Sequence, residues 1–221
     1  MKRFAILLAF CHSAVLGQLS DFQDTDFHRA DSIAEHFAGH PLADLKTLAD
    51  KLTGSLSTEQ EKFRAIYKWV CGNIEADYEL VLLNQRNRAT LQGKALAAWT
   101  KKFNQIVFDT LRYKQKTVCT GFAYLVRELA YHTGLSCTIV NGYAKYKGVD
   151  QRALRPANHS WNEIRLNNKW YVCDATWSSG VFSLSKGTFV KMYNDLYFLT
   201  EPAVFFRNHS LLGERSEVAR D

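Results

Sequence analysis

Two strand-like runs, Asn158-His-Ser-Trp-Asn-Glu-Ile-Arg-Leu166 and Lys169-Trp-Tyr-Val-Cys-Asp-Ala-Thr-Trp177, are separated only by Asn167-Asn168. So short a connection leaves antiparallel strands little choice but a tight turn with positive φ, which asparagine tolerates. The turn fixes the register. Leu166 is expected to face Lys169, Ile164 to face Tyr171, Trp161 to face Asp174 and His159 to face Thr176. Opposed residues share a face, and so do alternate residues along a strand. His159, Trp161, Asp174 and Thr176 therefore project together, with His159 and Asp174 as diagonal neighbours roughly 7 Å apart at the backbone. A slip of one residue would put them on opposite faces.

A second segment, Lys116-Thr-Val-Cys-Thr-Gly-Phe-Ala-Tyr-Leu-Val-Arg-Glu-Leu-Ala-Tyr-His-Thr-Gly134, reads as a helix buried on one face. Phe122, Leu125, Val126 and Leu129 make its i, i+3, i+4, i+7 stripe, and Gly134 supplies the stop. Cys119 stands at its head, where unpaired N–H groups and the positive end of the dipole favour a thiolate.

The 221 residues suit one domain, and 47% hydrophobic with 23% charged residues is the composition of a globular chain. Residues 1–17 have the order of a secretory signal, a basic start, an apolar run and small residues before a cleavage expected after Gly17. Without Lys2 and Arg3, 26 basic residues face 22 acidic ones. The remaining +4 is too little to argue for nucleic acid. The apolar run is too short for a permanent membrane anchor. Cleavage also removes Cys11 and leaves Cys71, Cys119, Cys137 and Cys173, scattered unlike a disulfide framework. No Cys-x-x-Cys pair or His-rich spacing points to a metal, and no cofactor motif is present.

Residues 18–41 read as a polar, extended lead-in. Leu42, Leu45, Leu48, Ala49 and Leu52 give a short amphipathic helix closed by Gly54, and Ser57-Thr-Glu-Gln60 reads as a capping box opening a helix that buries Phe63, Ile66, Tyr67 and Val70. Between Arg86 and Lys116 lie eight Lys or Arg residues and one acid, Asp109. Because the basic residues alternate with Leu91, Leu96, Trp99, Phe103 and Val107, they read as a solvated helical face rather than an anion-binding patch. Ser136 to Tyr143 alternates and is β-branched, so it reads as a strand. Cys173 should point away from the Asp174 face.

A cysteine nucleophile needs a histidine to accept its proton and a carboxylate to fix that histidine's tautomer. Cys119, His159 and Asp174 are the residues that match, with Trp161 and Trp177 placed to cover the His–Asp contact and exclude water. The blocks Val-Cys119-Thr-Gly-Phe-Ala, Asn-His159-Ser-Trp-Asn-Glu and Cys-Asp174-Ala-Thr-Trp resemble the three blocks of the transglutaminase-like superfamily, in its kyphoscoliosis-peptidase and cytokinesis-protein type. Lys62-Phe-Arg-Ala-Ile-Tyr-Lys-Trp69, Asn73-Ile-Glu-Ala-Asp-Tyr78 and Leu196-Tyr-Phe-Leu-Thr-Glu-Pro202 support the likeness.

The resemblance implies an α+β, papain-like core over residues 42–212, with the nucleophile helix on an antiparallel sheet and a polar tail at 213–221. It gives Cys119 as nucleophile, His159 as general base and Asp174 as its orienting acid. Val118 stands where true transglutaminases have Gln, Thr117 where the bacterial-type motif has Gly, and no calcium-binding insertion is visible. The expectation is thus a secreted, cofactor-free enzyme acting on amide bonds of a protein or peptide, by hydrolysis rather than crosslinking. The alternative is a non-catalytic module that uses the same fold to bind protein or glycan. Asn158-His-Ser160 and Asn208-His-Ser210 are glycosylation sequons, and the first is expected to stay empty because a glycan there would crowd His159.

Overall fold

The computed structural model describes residues 19–145, 157–183 and 188–212. The expected leader, its cleavage point and the C-terminal tail lie outside these residues. Helices α1 (His28–His36), α2 (Leu45–Thr53) and α3 (Glu59–Asn73) come first. Two-residue strands β1 (Glu75–Ala76) and β2 (Lys116–Thr117) pair in parallel and bracket a helical hairpin of α4 (Tyr78–Thr90) and α5 (Gly93–Lys114). After α6 (Cys119–His132) come β3 (Cys137–Ala144), β4 (His159–Leu166), β5 (Lys169–Cys173) and the single-turn α7 (Ala175–Ser179). A small hairpin of β6 (Gly180–Ser183) and β7 (Thr188–Lys191), then α8 (Pro202–Phe205) and β8 (His209–Leu211), are the last elements among the described residues. Four strands form one antiparallel sheet in the order β5-β4-β3-β8. The fold is therefore α+β, with α6 packed on an antiparallel sheet as the sequence implied.

Why α6 lies there follows from its residues. Phe122, Leu125, Val126 and Leu129 are buried against Ile164, Leu166 and Tyr171 of the sheet. Burying four such side chains contributes on the order of 6–12 kcal/mol as an upper bound. Polar bonds set the angle of approach: buried Asn162 on β4 donates its amide to the Ala123 carbonyl at 2.9 Å and to the Thr138 carbonyl at 3.2 Å. Gly121 lets the first turn come close to β2, since a Cβ there would stand 1.9 Å from Thr117 Oγ1. Gly134 ends the run at φ +79°, with Leu135 N–H returning to the Ala130 carbonyl.

Three readings are corrected. Within the 18–41 stretch read as extended, the described residues 19–41 are not. Leu19–Phe22 is a 3₁₀ turn, and α1 buries Ala30 and Ala34 against the core. Two alanines four residues apart are enough for a helix that packs closely, but they carry little hydropathy signal. The capping box sits one residue later than expected, with Thr58 accepting from Glu61 N–H and the Glu61 carboxylate accepting from Thr58 N–H. The strand beginning at Lys169 ends at Cys173 instead of Trp177. Asp174 breaks it by taking two backbone N–H groups of the turn that follows.

Candidate active site

Leu166 pairs with Lys169, Ile164 with Tyr171 and Asn162 with Cys173, so the hairpin register is the one the Asn–Asn turn demands. Asn167 and Asn168 both have positive φ, 50° and 65°. The pairing stops there, and Asp174 and Thr176 do not oppose Trp161 and His159 along a ladder. Asp174 instead serves as the N-cap of α7: its Oδ1 accepts from Thr176 N–H at 2.9 Å and from Trp177 N–H at 3.2 Å. The cap turns the other carboxylate oxygen toward β4. His159 Nε2 lies 2.6 Å from Asp174 Oδ2, with both side chains about 1% exposed.

With Nε2 committed to the carboxylate, the buried Nδ1 of His159 has no hydrogen-bond partner of its own, and Cys119 lies near enough to interact with the imidazole. Cys119 is the first residue of α6 and remains partly exposed, while His159 and Asp174 behind it are buried. The order from solvent inward is thus thiol, imidazole, carboxylate. Burial alone would raise the Cys119 pKa, but the neighbouring His159 and the Ser160 backbone N–H outweigh it and hold the thiol below its ordinary value. Burial would likewise lower His159, and the adjacent Asp174 charge and hydrogen bond more than reverse that, so the imidazolium is favoured. Asp174, despite burial, is held well below the usual carboxylate range by His159 and then by His209. Both shifts run in the direction of a thiolate beside an imidazolium on a fixed carboxylate.

The other cysteines differ. Cys71, Cys119, Cys137 and Cys173 are all free thiols. Burial pushes Cys71 and Cys173 far up and Cys137 up to about 12. Of these four, Cys119 alone is shifted toward the thiolate. Cys173 faces the main core, away from Asp174, as strand alternation requires. A surface cleft lined by Arg127, Tyr131, Leu135 and Cys137 lies at the other end of α6 from Cys119.

Trp161 and Trp177 flank the His159 ring at centroid distances of 6.3 and 5.6 Å. Trp161 is buried and Trp177 partly so. Asn158 spends its side-chain amide on both backbone groups of Ala144.

One residue at the site was not anticipated. His209, the first residue of β8, brings its Nε2 to 3.1 Å from Asp174 Oδ2, the same oxygen that His159 uses. Its partner is 35 positions away in sequence, and β8 reaches the site by pairing with β3. The available signal was the block Leu196 to Pro202, which marks this C-terminal segment as part of the domain. His159, Asp174 and His209 also form a group whose ligand atoms lie within 4.8 Å of one another, the geometry a metal ion would need. Each imidazole, however, directs a nitrogen at the shared oxygen at hydrogen-bond distance, so the cluster is accounted for as two donors on one acceptor.

The chain is similar to known proteins over most of its length. It is 32% identical to the human kyphoscoliosis peptidase over 167 residues, 75% of this chain and 23% of that protein. It is 24% identical to hillarin from Drosophila melanogaster over 211 residues, 88% of this chain and 23% of that protein. The chain thus spans less than a quarter of the length of these relatives. A crystal structure of a TGase aligns with 68% of this chain and 32% of its own at a TM-score of 0.40 and 19% identity. The transglutaminase-like superfamily model matches residues 46–175, from the second residue of α2 through Cys119 and His159 to the residue after Asp174. That match covers more than half of the sequence, and the chain belongs to the transglutaminase-like superfamily.

Proposed function

We infer that the protein is a secreted enzyme that transfers acyl groups from amide bonds through Cys119, with a protein or peptide as substrate and no cofactor. The observation that carries this reading is the contrast among the cysteines. Cys119 alone, at the start of a helix and beside His159, is drawn toward the thiolate, and it is partly exposed with a buried His–Asp pair behind it.

The chemistry follows from these positions. Cys119 Sγ attacks the amide carbonyl, and the oxyanion meets the Cys119 backbone N–H, which has no intrahelical partner at the first position of α6. His159 gives its Nδ1 proton to the departing amine as the C–N bond breaks, leaving a thioester on Cys119. Water then gives a proton back to Nδ1 and attacks the thioester, releasing a carboxylic acid and restoring the thiolate–imidazolium pair. Asp174 holds the imidazole throughout.

Hydrolysis is favoured over crosslinking because Val118 stands where true transglutaminases have Gln and hydrolysis needs no second substrate site. The relatives named peptidase point the same way. Secretion rests on the leader-like order of residues 1–17. Among the described residues no helix is long and apolar enough to cross a membrane.

The test is the pH dependence of Cys119 alkylation by iodoacetamide, followed by peptide mass mapping in the wild type and in His159→Ala. The expected wild-type profile rises well below the unperturbed thiol value of about 8.5, and the variant returns to it. Coincident profiles at the unperturbed value would leave the fold as a binding module.

A further inference from the structure

Building on the Cys119–His159–Asp174 reading, we propose that His209 is a positioning residue of the site, a second imidazole that shares Asp174 Oδ2 with His159 and so limits how firmly the carboxylate holds the His159 proton. An ionised carboxylate only accepts, so both imidazoles must donate from Nε2 to the same oxygen, His159 at 2.6 Å and His209 at 3.1 Å. Asp174 cannot rotate to give each its own oxygen, because Oδ1 is taken by the N–H groups of Thr176 and Trp177. Two donors on one oxygen compete, and each weakens the pull on the other.

The His209 ring is tightly held. Its side chain is fully buried, stacked on Phe205 at 3.9 Å and 18°, with Trp177 at 4.7 Å and Trp161 at 5.2 Å. Nδ1 faces two acceptors, the Phe205 carbonyl at 3.2 Å and Asn208 Oδ1 at 2.7 Å, so a ring that donates from Nε2 meets them as donor too only when both nitrogens carry a proton. The titratable groups around it are Asp174, His159 and Tyr197, the last with its ring at 5.8 Å and its hydroxyl accepting from Asn208. Packing alone does not call for histidine, since a phenyl ring would stack on Phe205 as well. What histidine adds is an N–H aimed at the catalytic carboxylate.

The consequence is chemical. His159 has to take the Cys119 proton and later surrender it to the leaving amine. A carboxylate devoted to His159 alone would hold the imidazolium too well for the second step, and sharing Oδ2 softens that hold.

Two substitutions separate the roles. His209→Phe keeps the stacked ring and removes the donor, whereas His209→Gln keeps an N–H donor and removes the ring. Each is measured by the pH profile of Cys119 alkylation, beside wild type and His159→Ala. With sharing lost, the imidazolium and its partner thiolate are favoured, so the His209→Phe inflection moves to lower pH by about half to one unit, roughly a three- to tenfold change in the thiol–thiolate equilibrium. His209→Gln returns the inflection toward wild type. A His209→Phe profile that superimposes on wild type, or moves upward, while His159→Ala is displaced, overturns the role of His209 and leaves the triad standing. Coincidence of His159→Ala with wild type removes the triad and the proposal with it. Should the variants fail to fold, histidine-labelled wild type decides: the proposal requires two exchange-protected imidazole Nε2–H signals, one each from His159 and His209, and a single signal overturns it.

Discussion

Asp174 has two employments that are separable by substitution. Its Oδ1 caps α7 and its Oδ2 faces His159 and His209. Asparagine caps a helix about as well as aspartate, whereas alanine does not. Asp174→Asn should therefore unfold at a higher temperature than Asp174→Ala, by the equivalent of about 1 kcal/mol, as differential scanning calorimetry would show. Both variants strip His159 of its counter-charge, and Cys119 alkylation near neutral pH should fall about tenfold or more in each. Equal melting points would mean that the cap contributes nothing; unequal alkylation rates would mean that Asp174 acts on Cys119 through the cap instead of through charge. The pH behaviour has a definite sign. Cys119 is lowered and His159 raised, so the thiolate–imidazolium pair persists between the two values. Alkylation falls on the acid side as the thiol reprotonates. Turnover also falls on the alkaline side, above the usual histidine range, as Nδ1 loses the proton that the leaving amine needs.

At the scale of single elements, the segment from β2 into α6 is the tightest joint. Thr117 is paired to Ala76 across the β1–β2 ladder, and its carbonyl accepts from Asp77 N–H at 2.7 Å, so it cannot retreat from a side chain added at Gly121. A Cβ there would meet Thr117 Oγ1 at 1.9 Å, Cβ at 2.8 Å and Cγ2 at 2.9 Å. Gly121→Ala should cost about 1–3 kcal/mol by overpacking, measured by urea denaturation. In a Thr117→Gly background all three atoms are gone, and the same substitution should stabilise by up to about 1 kcal/mol from helix propensity. No change of sign would refute the contact as the cause. The elements that sequence disclosed are those whose cause is local: the α6 stripe and its Gly134 stop, the β3 alternation, and the Asn167–Asn168 turn that fixed the β4–β5 register. α7 was hidden because Asp174 sits among strand-forming residues, and only its freedom to bond the following backbone ended the strand. His209 was hidden for the opposite reason, since β8 is three residues long and its place is decided by pairing with β3.

On the scale of the whole molecule, Arg64 of α3 ties α1 to the segment that supports the site. Its side chain, 7% exposed, donates from Nε and Nη2 to Asp31 of α1 at 2.6 and 2.8 Å and from Nη1 to Asp195 at 2.5 Å. Phe198 at 4.8 Å, Phe27 at 5.4 Å and Tyr193 at 5.6 Å surround the guanidinium. Two residues beyond Asp195, the Tyr197 carbonyl accepts the Asp174 N–H at 3.0 Å and the Tyr67 hydroxyl at 2.9 Å. Residues 19–41, read as part of an extended lead-in, are thus continuous, through Arg64 and Asp195, with the support of the Asp174 cap. None of these spacings is periodic, which is why the sequence alone did not reveal them. Removing the buried cation leaves Asp31 to Lys68 and the half-exposed Asp195 to the Tyr193 hydroxyl, so Arg64→Ala should lower the unfolding free energy by about 1–3 kcal/mol. Arg64→Met fills the same space without a charge to desolvate and should cost clearly less. If α1 belongs to the one cooperative unit, tryptophan fluorescence and far-ultraviolet circular dichroism of Arg64→Ala will follow a single urea transition, shifted as a whole. An early, separate loss of helix signal would instead make α1 an appendage that Arg64 merely holds in place.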